Sequence, residues 1–137
     1  MAASAKLRCP FTALGLTAEA ASTVTFPGMM GPQVANWLLL SSEWLDAQTC
    51  KEYGLAFAVV ADDVLMQRTM EQAQVLAAQP LASLIPTKEM LMAPRREALR
   101  DASEIETAGL GSLMGGPANQ EAIAAFKERR DPDFSKF

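Results

Sequence analysis

The sequence predicts a mostly α-helical chain with two short β-strands. Apolar residues recur at three- and four-residue spacing through much of the chain, and cap and stop residues bracket those stretches. Only two short runs read as strand. Half of the 137 residues are apolar, which suits one packed domain rather than disorder.

Lys6-Leu7-Arg8-Cys9 reads as a short strand ending at Pro10, and a loop follows through Gly15. Thr17 is placed to cap a short helix from Ala18, with Glu19 in its first turn; Phe26-Pro27-Gly28 is expected to break it. Pro32 suits the first position of a helix to about Leu40. Val34, Trp37, Leu38 and Ser41 form one face, and Leu39 and Leu40 widen it, so this helix should be buried. Asp46 reads as the cap of a helix over 47–53 that Gly54 stops. Leu55 to Val60 is the second candidate strand. Asp62 or Asp63 caps a helix with Met66, Met70, Ala73 and Ala77 in line, and Pro80 ends it. Residues 81–93 read as helix, with Pro86 either kinking it or marking its start. Ala98, Ala102, Ile105, Gly109 and Leu113 stripe the next helix. Gly115-Gly116 stops it, and Pro117 opens the last, to about Arg130.

The charges are unevenly placed: residues 1–42 carry only Lys6, Arg8 and Glu19. The uncharged run from Ala20 to Ser42 is interrupted by Pro27, Gly28, Gly31 and Pro32, which argues against a membrane span. A net charge of −4 argues against nonspecific nucleic-acid binding. The absence of histidine excludes Ser-His-Asp and Cys-His catalysis and His-rich metal sites. Cys9 and Cys50 suit buried small hydrophobes in a reduced, intracellular setting. No Gly-rich phosphate loop is present. Glu97, Asp101 and Glu104 read as an exposed acidic face, with oxygen-only metal binding a remote second.

Glu19 stands out as the only acid in the first 42 positions, among Ala18, Ala20 and Ala21. Two readings stay open from the pattern alone. First-turn acids commonly do no more than favour the helix dipole, whereas a desolvated carboxylate has a raised pKa and suits proton transfer.

The string Pro10-Phe11-Thr12-Ala13-Leu14-Gly15-Leu16-Thr17-Ala18-Glu19, followed by Ser22, Thr25-Phe26-Pro27 and Met30-Gly31, closely resembles the crotonase (enoyl-CoA hydratase/isomerase) superfamily. Its nearest branch looks like the peroxisomal-type Δ3,Δ2-enoyl-CoA isomerases. Leu45-Asp46-Ala47, Glu52-Tyr53-Gly54-Leu55, Lys88-Glu89 and the ending from Glu121 to Phe134 extend the resemblance over nearly the whole chain. It implies the C-terminal portion of a ββα-superhelix fold. Residues 1–61 would end the core and hold the acyl-pocket helices, and residues 62–137 would be the helical oligomerisation region.

The resemblance implies that Glu19 moves a proton from C2 to C4 of a 3-enoyl-CoA. Phe11 stands where hydratases carry a second glutamate, which disfavours two-glutamate hydration. Phe126 and Arg129 match positions that contact CoA in some members, the alternative being a core phenylalanine and a solvated arginine. Where the isomerases have Pro-Glu-Gly, this chain has Ala18-Glu19-Ala20.

The family's oxyanion-hole donors belong to a half that precedes these motifs. The expectation is therefore a fragment, a truncated gene product or one half of a split enzyme, inactive alone. The implied partners are an acyl-CoA thioester, further copies (a trimer or dimer of trimers) and a chain supplying the other half. Nucleic acid and membrane are not expected, no cofactor is implied beyond the substrate's coenzyme A, and the expected location is cytoplasmic. A non-catalytic oligomerisation or acyl-CoA-binding module is the competing reading.

Overall fold

The computed structural model describes residues 1–137. In chain order it contains β1 (Lys6–Leu7), a 3-10 turn at Thr12–Leu14, α1 (Ser22–Met30), α2 (Pro32–Ser41), β2 (Leu45–Asp46) and α3 (Ala47–Glu52). A 3-10 turn at Asp62–Val64, α4 (Leu65–Ala77), α5 (Leu81–Met92), a 3-10 turn at Ala93–Arg95, α6 (Arg96–Leu113) and α7 (Pro117–Glu128) follow. The chain is thus mostly helical with two short strands, as expected. Its contacts gather into two units, Met1–Leu7 with Leu45–Ala98, and Arg8–Trp44 with Leu99–Phe137. This is a grouping by contact, whereas the expected division at residue 61 separates roles.

In the first unit, β1 and β2 pair antiparallel, with Lys6 opposite Asp46 and Leu7 opposite Leu45. The second strand is therefore not the expected Leu55–Val60 run. That run reaches only one parallel bridge, Ala2 to Val60, because the Met1–Ala3 backbone is the only one the structure places beside it in strand geometry. Lys6–Leu7 is also shorter than the expected 6–9 strand. Asp46 does cap α3, its carboxylate accepting from the Thr49 N–H at 2.8 Å. Cys50 beneath it is fully buried, and burial first and the Asp46 carboxylate second push its thiol pKa up, away from nucleophilic use.

Asp62 does not cap α4. Its carboxylate accepts from the Ser4 N–H at 3.0 Å and from the Ser4 hydroxyl, tying the N-terminus down. Pro86 neither starts nor ends α5, which runs through it from Leu81. The apolar residues of α4 and α5 remain largely uncovered: Met66, Met70, Leu76, Leu81, Ile85, Met90 and Leu91 are all exposed.

In the second unit, α1 and α2 pack against each other. α2 begins at Pro32 and buries Ala35, Leu38 and Leu39, at i, i+3 and i+4 spacing. It is not buried all round, since Trp37 and Leu40 are exposed. α1 departs further from expectation. It starts at Ser22 rather than Ala18 and continues through Pro27 to Gly31, whose φ of +80° ends it. A proline at the sixth helical position removes one ladder bond without ending the helix. α6 buries Ala102 and Glu106, whereas Ile105 of the expected stripe is exposed.

α7 ends with the Arg129 N–H bonded to the Phe126 carbonyl at 3.3 Å and the Arg130 N–H to the Ala125 carbonyl at 3.0 Å. This paired arrangement usually has glycine in the left-handed position, which Arg129 occupies here at φ +56°. The chain then folds back on the helix. Glu121 accepts from the Arg130 guanidinium at 3.1 Å and from the Asp133 N–H at 2.9 Å. The Arg130 bond, with the Asp133 N–H behind it, holds the Glu121 carboxyl down to about 2. A carboxyl depressed in the folded state stabilises above its ordinary range and loses that contribution as pH falls through the folded value. Docking of residues 130–134 should therefore be complete above about pH 5 and fade as pH falls toward 2. Proton-exchange protection of the Asp133 amide reads it, and Glu121→Gln should remove the protection at neutral pH. Protection that persists in that variant would show another anchor.

Candidate active site

The segment from Cys9 to Ala21 is fixed at three places by side chains of its own unit. At the front, the Thr12 hydroxyl lies 2.8 Å from both the Leu40 carbonyl and the Ser42 hydroxyl, which also accepts from the Ala13 N–H at 3.2 Å. Arg8 donates to the Ser42 carbonyl and stacks its guanidinium 5.7 Å from the Trp44 ring centre. In the middle, buried Asn119 of α7 donates to the Leu14 carbonyl at 2.8 Å and accepts from the Gly115 N–H at 3.0 Å. Gly15 makes this approach possible: with φ at +65°, a Cβ there would lie 2.7 Å from the Ala118 carbonyl carbon.

At the back the anchor is Glu106. Its carboxylate accepts from the Ala21 N–H at 2.6 Å, the Thr23 N–H at 2.9 Å and the Thr23 hydroxyl at 2.6 Å. A helix needs partners for its first donors, and here a carboxylate 83 and 85 residues away in sequence supplies them. Ser22 N–H is satisfied by the Glu19 carbonyl at 3.1 Å.

Thr17 therefore does not act as a cap; its buried hydroxyl has no hydrogen-bond partner. It lies instead against Gly109 of α6, where a Cβ would come within 3.1 Å of the Thr17 hydroxyl oxygen. Ala20 and Ala21 both take left-handed backbone, at φ +60° and +54°. This conformation costs an alanine roughly 1–2 kcal/mol.

Glu19 is thus on a loop, not in a helical first turn, and its side chain is exposed. A cavity of about 350 Å³ opens beside the same loop, with Leu16, Thr17 and Ala18 on its wall and Pro27, Leu39 and Leu40 among its other apolar lining. Its size and lining suit a small apolar group. Phe126 and Arg129 do not line it, and both are exposed, Phe126 at 83 %. Phe126 is accordingly not a core residue in this chain. Glu97, Asp101 and Glu104 lie on the exposed face of α6, and no three acids or cysteines gather in ligating geometry.

Sequence reasoning missed Glu106 and Asn119. The available signal for Glu106 was its spacing: a glutamate four residues after Ala102 and three before Gly109 falls on the small-residue face of α6.

The sequence model of the family described as enoyl-CoA hydratase/isomerase matches residues 1–136. The chain belongs to that family. It is 30% identical over 135 residues to 1,2-epoxyphenylacetyl-CoA isomerase of Escherichia coli K12, covering 98% of this chain and 51% of that protein. It is 26% identical over 131 residues to 2,3-dehydroadipyl-CoA hydratase of the same organism, covering 96% and 51%. The crystal structure of an enoyl-CoA hydratase/isomerase from Pseudoalteromonas atlantica T6c superposes with a TM-score of 0.92 at 31% identity, covering 98% of this chain and 54% of that one. The chain thus spans about half the length of each of these relatives. One of these relatives is named as an isomerase and another as a hydratase, so likeness alone does not choose between the two reactions. No helix is long and apolar enough to cross a membrane.

Proposed function

We propose that these residues form the C-terminal part of an acyl-CoA enzyme of the Δ3,Δ2-enoyl-CoA isomerase type, nearest the peroxisomal branch, with Glu19 as its proton shuttle. The observation that carries this reading is the anchored loop that sets Glu19 directly after a wall residue, Ala18, of the apolar cavity. The Glu19 carboxylate takes the C2 proton of a 3-enoyl thioester. The pair left at C2 becomes the C2=C3 double bond, the former C3=C4 pair moves out to C4, and the resulting carboxylic acid returns the proton there. Phe11 has no exchangeable proton for a second acid/base, which supports isomerisation over hydration.

The thioester oxygen gains charge in this step, and the donors that meet it come from a complementary half of the enzyme. Removing even one such donor costs about 2.7–4 kcal/mol, so the 137-residue chain alone is inactive in this reading. Residues 1–61 close the catalytic core, and 62–137 form the helical region through which copies assemble in a cytoplasmic oligomer. The exposed apolar side chains of α4 and α5 are the surface such an assembly would cover. Phe126 and Arg129, exposed on α7 and its C-terminal cap, are the proposed coenzyme A contacts.

Assay of a 3-enoyl-CoA with the purified chain, and with the chain co-expressed with a family upstream half, tests the reading. Only the pair should turn over, and Glu19→Ala should cut its rate by about 10²–10⁴ without loss of association. Turnover by the chain alone, or a Glu19→Ala pair that keeps the parent rate, would overturn it. The exposure of Glu19 in this chain favours a second reading, a non-catalytic acyl-CoA-binding or oligomerisation module. Acyl-CoA binding by a pair that shows no turnover would select it.

A further inference from the structure

We infer that Glu106 is a positioning residue for Glu19, which rests on the reading of Glu19 as the proton shuttle. Local preference in this stretch is for helix: Thr17 suits a cap and Ala18, Ala20 and Ala21 are strong helix formers. The chain does not follow that preference. Ala20 and Ala21 are held left-handed, and the helix is delayed to Ser22. Three donors around this break, Ala21 N–H, Thr23 N–H and Thr23 Oγ1–H, converge on the one carboxylate of Glu106, which is 5% exposed.

Glu106 reaches them because Gly109, one turn on along the same face of α6, lets that helix lie against Thr17. Without the carboxylate, the stretch from Ala18 is released to its helical preference. Glu19, which follows the wall residue Ala18 without itself lining the cavity, would then move with the new helical turn, while the cavity wall from Pro27 to Leu40 stays in place. The direction in which Glu19 leaves its loop is therefore set from α6. Glu106 touches no reacting atom; it acts through the backbone of Ala21 and Thr23.

Glu106→Gln is isosteric but sets an amide NH₂ against an N–H donor, and Glu106→Asp keeps the charge with one methylene less reach. The test measures both variants in the assembly of this chain with its complementary half, beside Glu19→Gln and the Glu19→Gln/Glu106→Gln double variant. A displacement of this kind costs about 10²-fold in kcat for Glu106→Gln. Expected alongside it are a KM for the 3-enoyl-CoA within about threefold of the parent and no further loss in the double variant.

If Glu19→Gln is inactive while Glu106→Gln keeps its kcat, the positioning role is refuted and the role of Glu19 stands. If Glu19→Gln turns over normally, both are refuted. A loss that appears in KM, or that adds in full to the Glu19→Gln loss, marks Glu106 as merely structural and also refutes the proposal. Should the Gln variant fail to assemble, Glu106→Asp is expected to lose kcat with KM held, and amide exchange in the variant chain gives an independent reading. Faster exchange at Ala21 and Thr23 is the expected result, and unchanged exchange overturns the proposal.

Discussion

Glu106→Ala lowers the folding stability of the chain by about 3 kcal/mol, the size expected when a buried carboxylate that satisfies several donors is removed. Three donors lose a charged acceptor together, and two of them are backbone N–H groups. A net hydrogen bond to a charged group contributes about 1.5–3 kcal/mol, so three at full value would exceed the expected loss. Two effects offset part of it. The carboxylate no longer has to be desolvated, and the left-handed alanines at 20 and 21 can relax, recovering roughly 1–2 kcal/mol each in the limit. Urea denaturation at neutral pH, followed by helical circular dichroism, measures the difference. A loss under about 1 kcal/mol would mean that water replaces the carboxylate, as at an exposed helix cap.

This residue also marks where sequence reasoning stops. α2, α3 and α7 were legible because their start signals are local: Pro32 and Pro117 at first helical positions, and Asp46 three residues before the N–H it accepts. The start of α1 was not legible, because its cap lies on another helix and two alanines adopt a conformation that their own propensity opposes. The resemblance hinted at it, since the family pattern places glycine at the position of Ala20, the residue type that takes φ +60° without strain.

The second strand failed for a related reason. Leu55–Val60 has strand composition, but a strand also needs a partner, and the structure gives that partner to Leu45–Asp46. On α6 the helical period was correct and Ala102 and Gly109 of the expected stripe do face inward, but Ile105 is exposed and its neighbour Glu106 is buried. Choosing Ile105 over Glu106 followed the rule that apolar side chains point inward, and a buried carboxylate with three donors is the case that rule cannot see. Of the proposed site, the motif singled out Glu19, whereas Glu106 and Asn119, which hold its loop, carried no motif.

Gly15→Ala is expected to be about as damaging, costing roughly 3 kcal/mol. The added methyl meets backbone rather than a movable side chain: the Ala118 carbonyl carbon at 2.7 Å and the Asn119 nitrogen at 2.8 Å. Relief requires the first turn of α7 to shift, and that turn carries Asn119, whose amide holds the Leu14 carbonyl and the Gly115 N–H. The φ of +65° adds a second cost that no shift of α7 removes. Against these, alanine restricts the unfolded chain and returns only about 0.4–1 kcal/mol. Gly111 supplies the contrast, for it lies inside α6 and a methyl added there would meet nothing within 4 Å, so Gly111→Ala should stabilise by up to about 1 kcal/mol. Denaturation midpoints of the two variants should therefore move in opposite directions. If both move up, Gly15 is not a packing constraint, and the anchor between α7 and the Glu19 loop is looser than the Asn119 bonds imply.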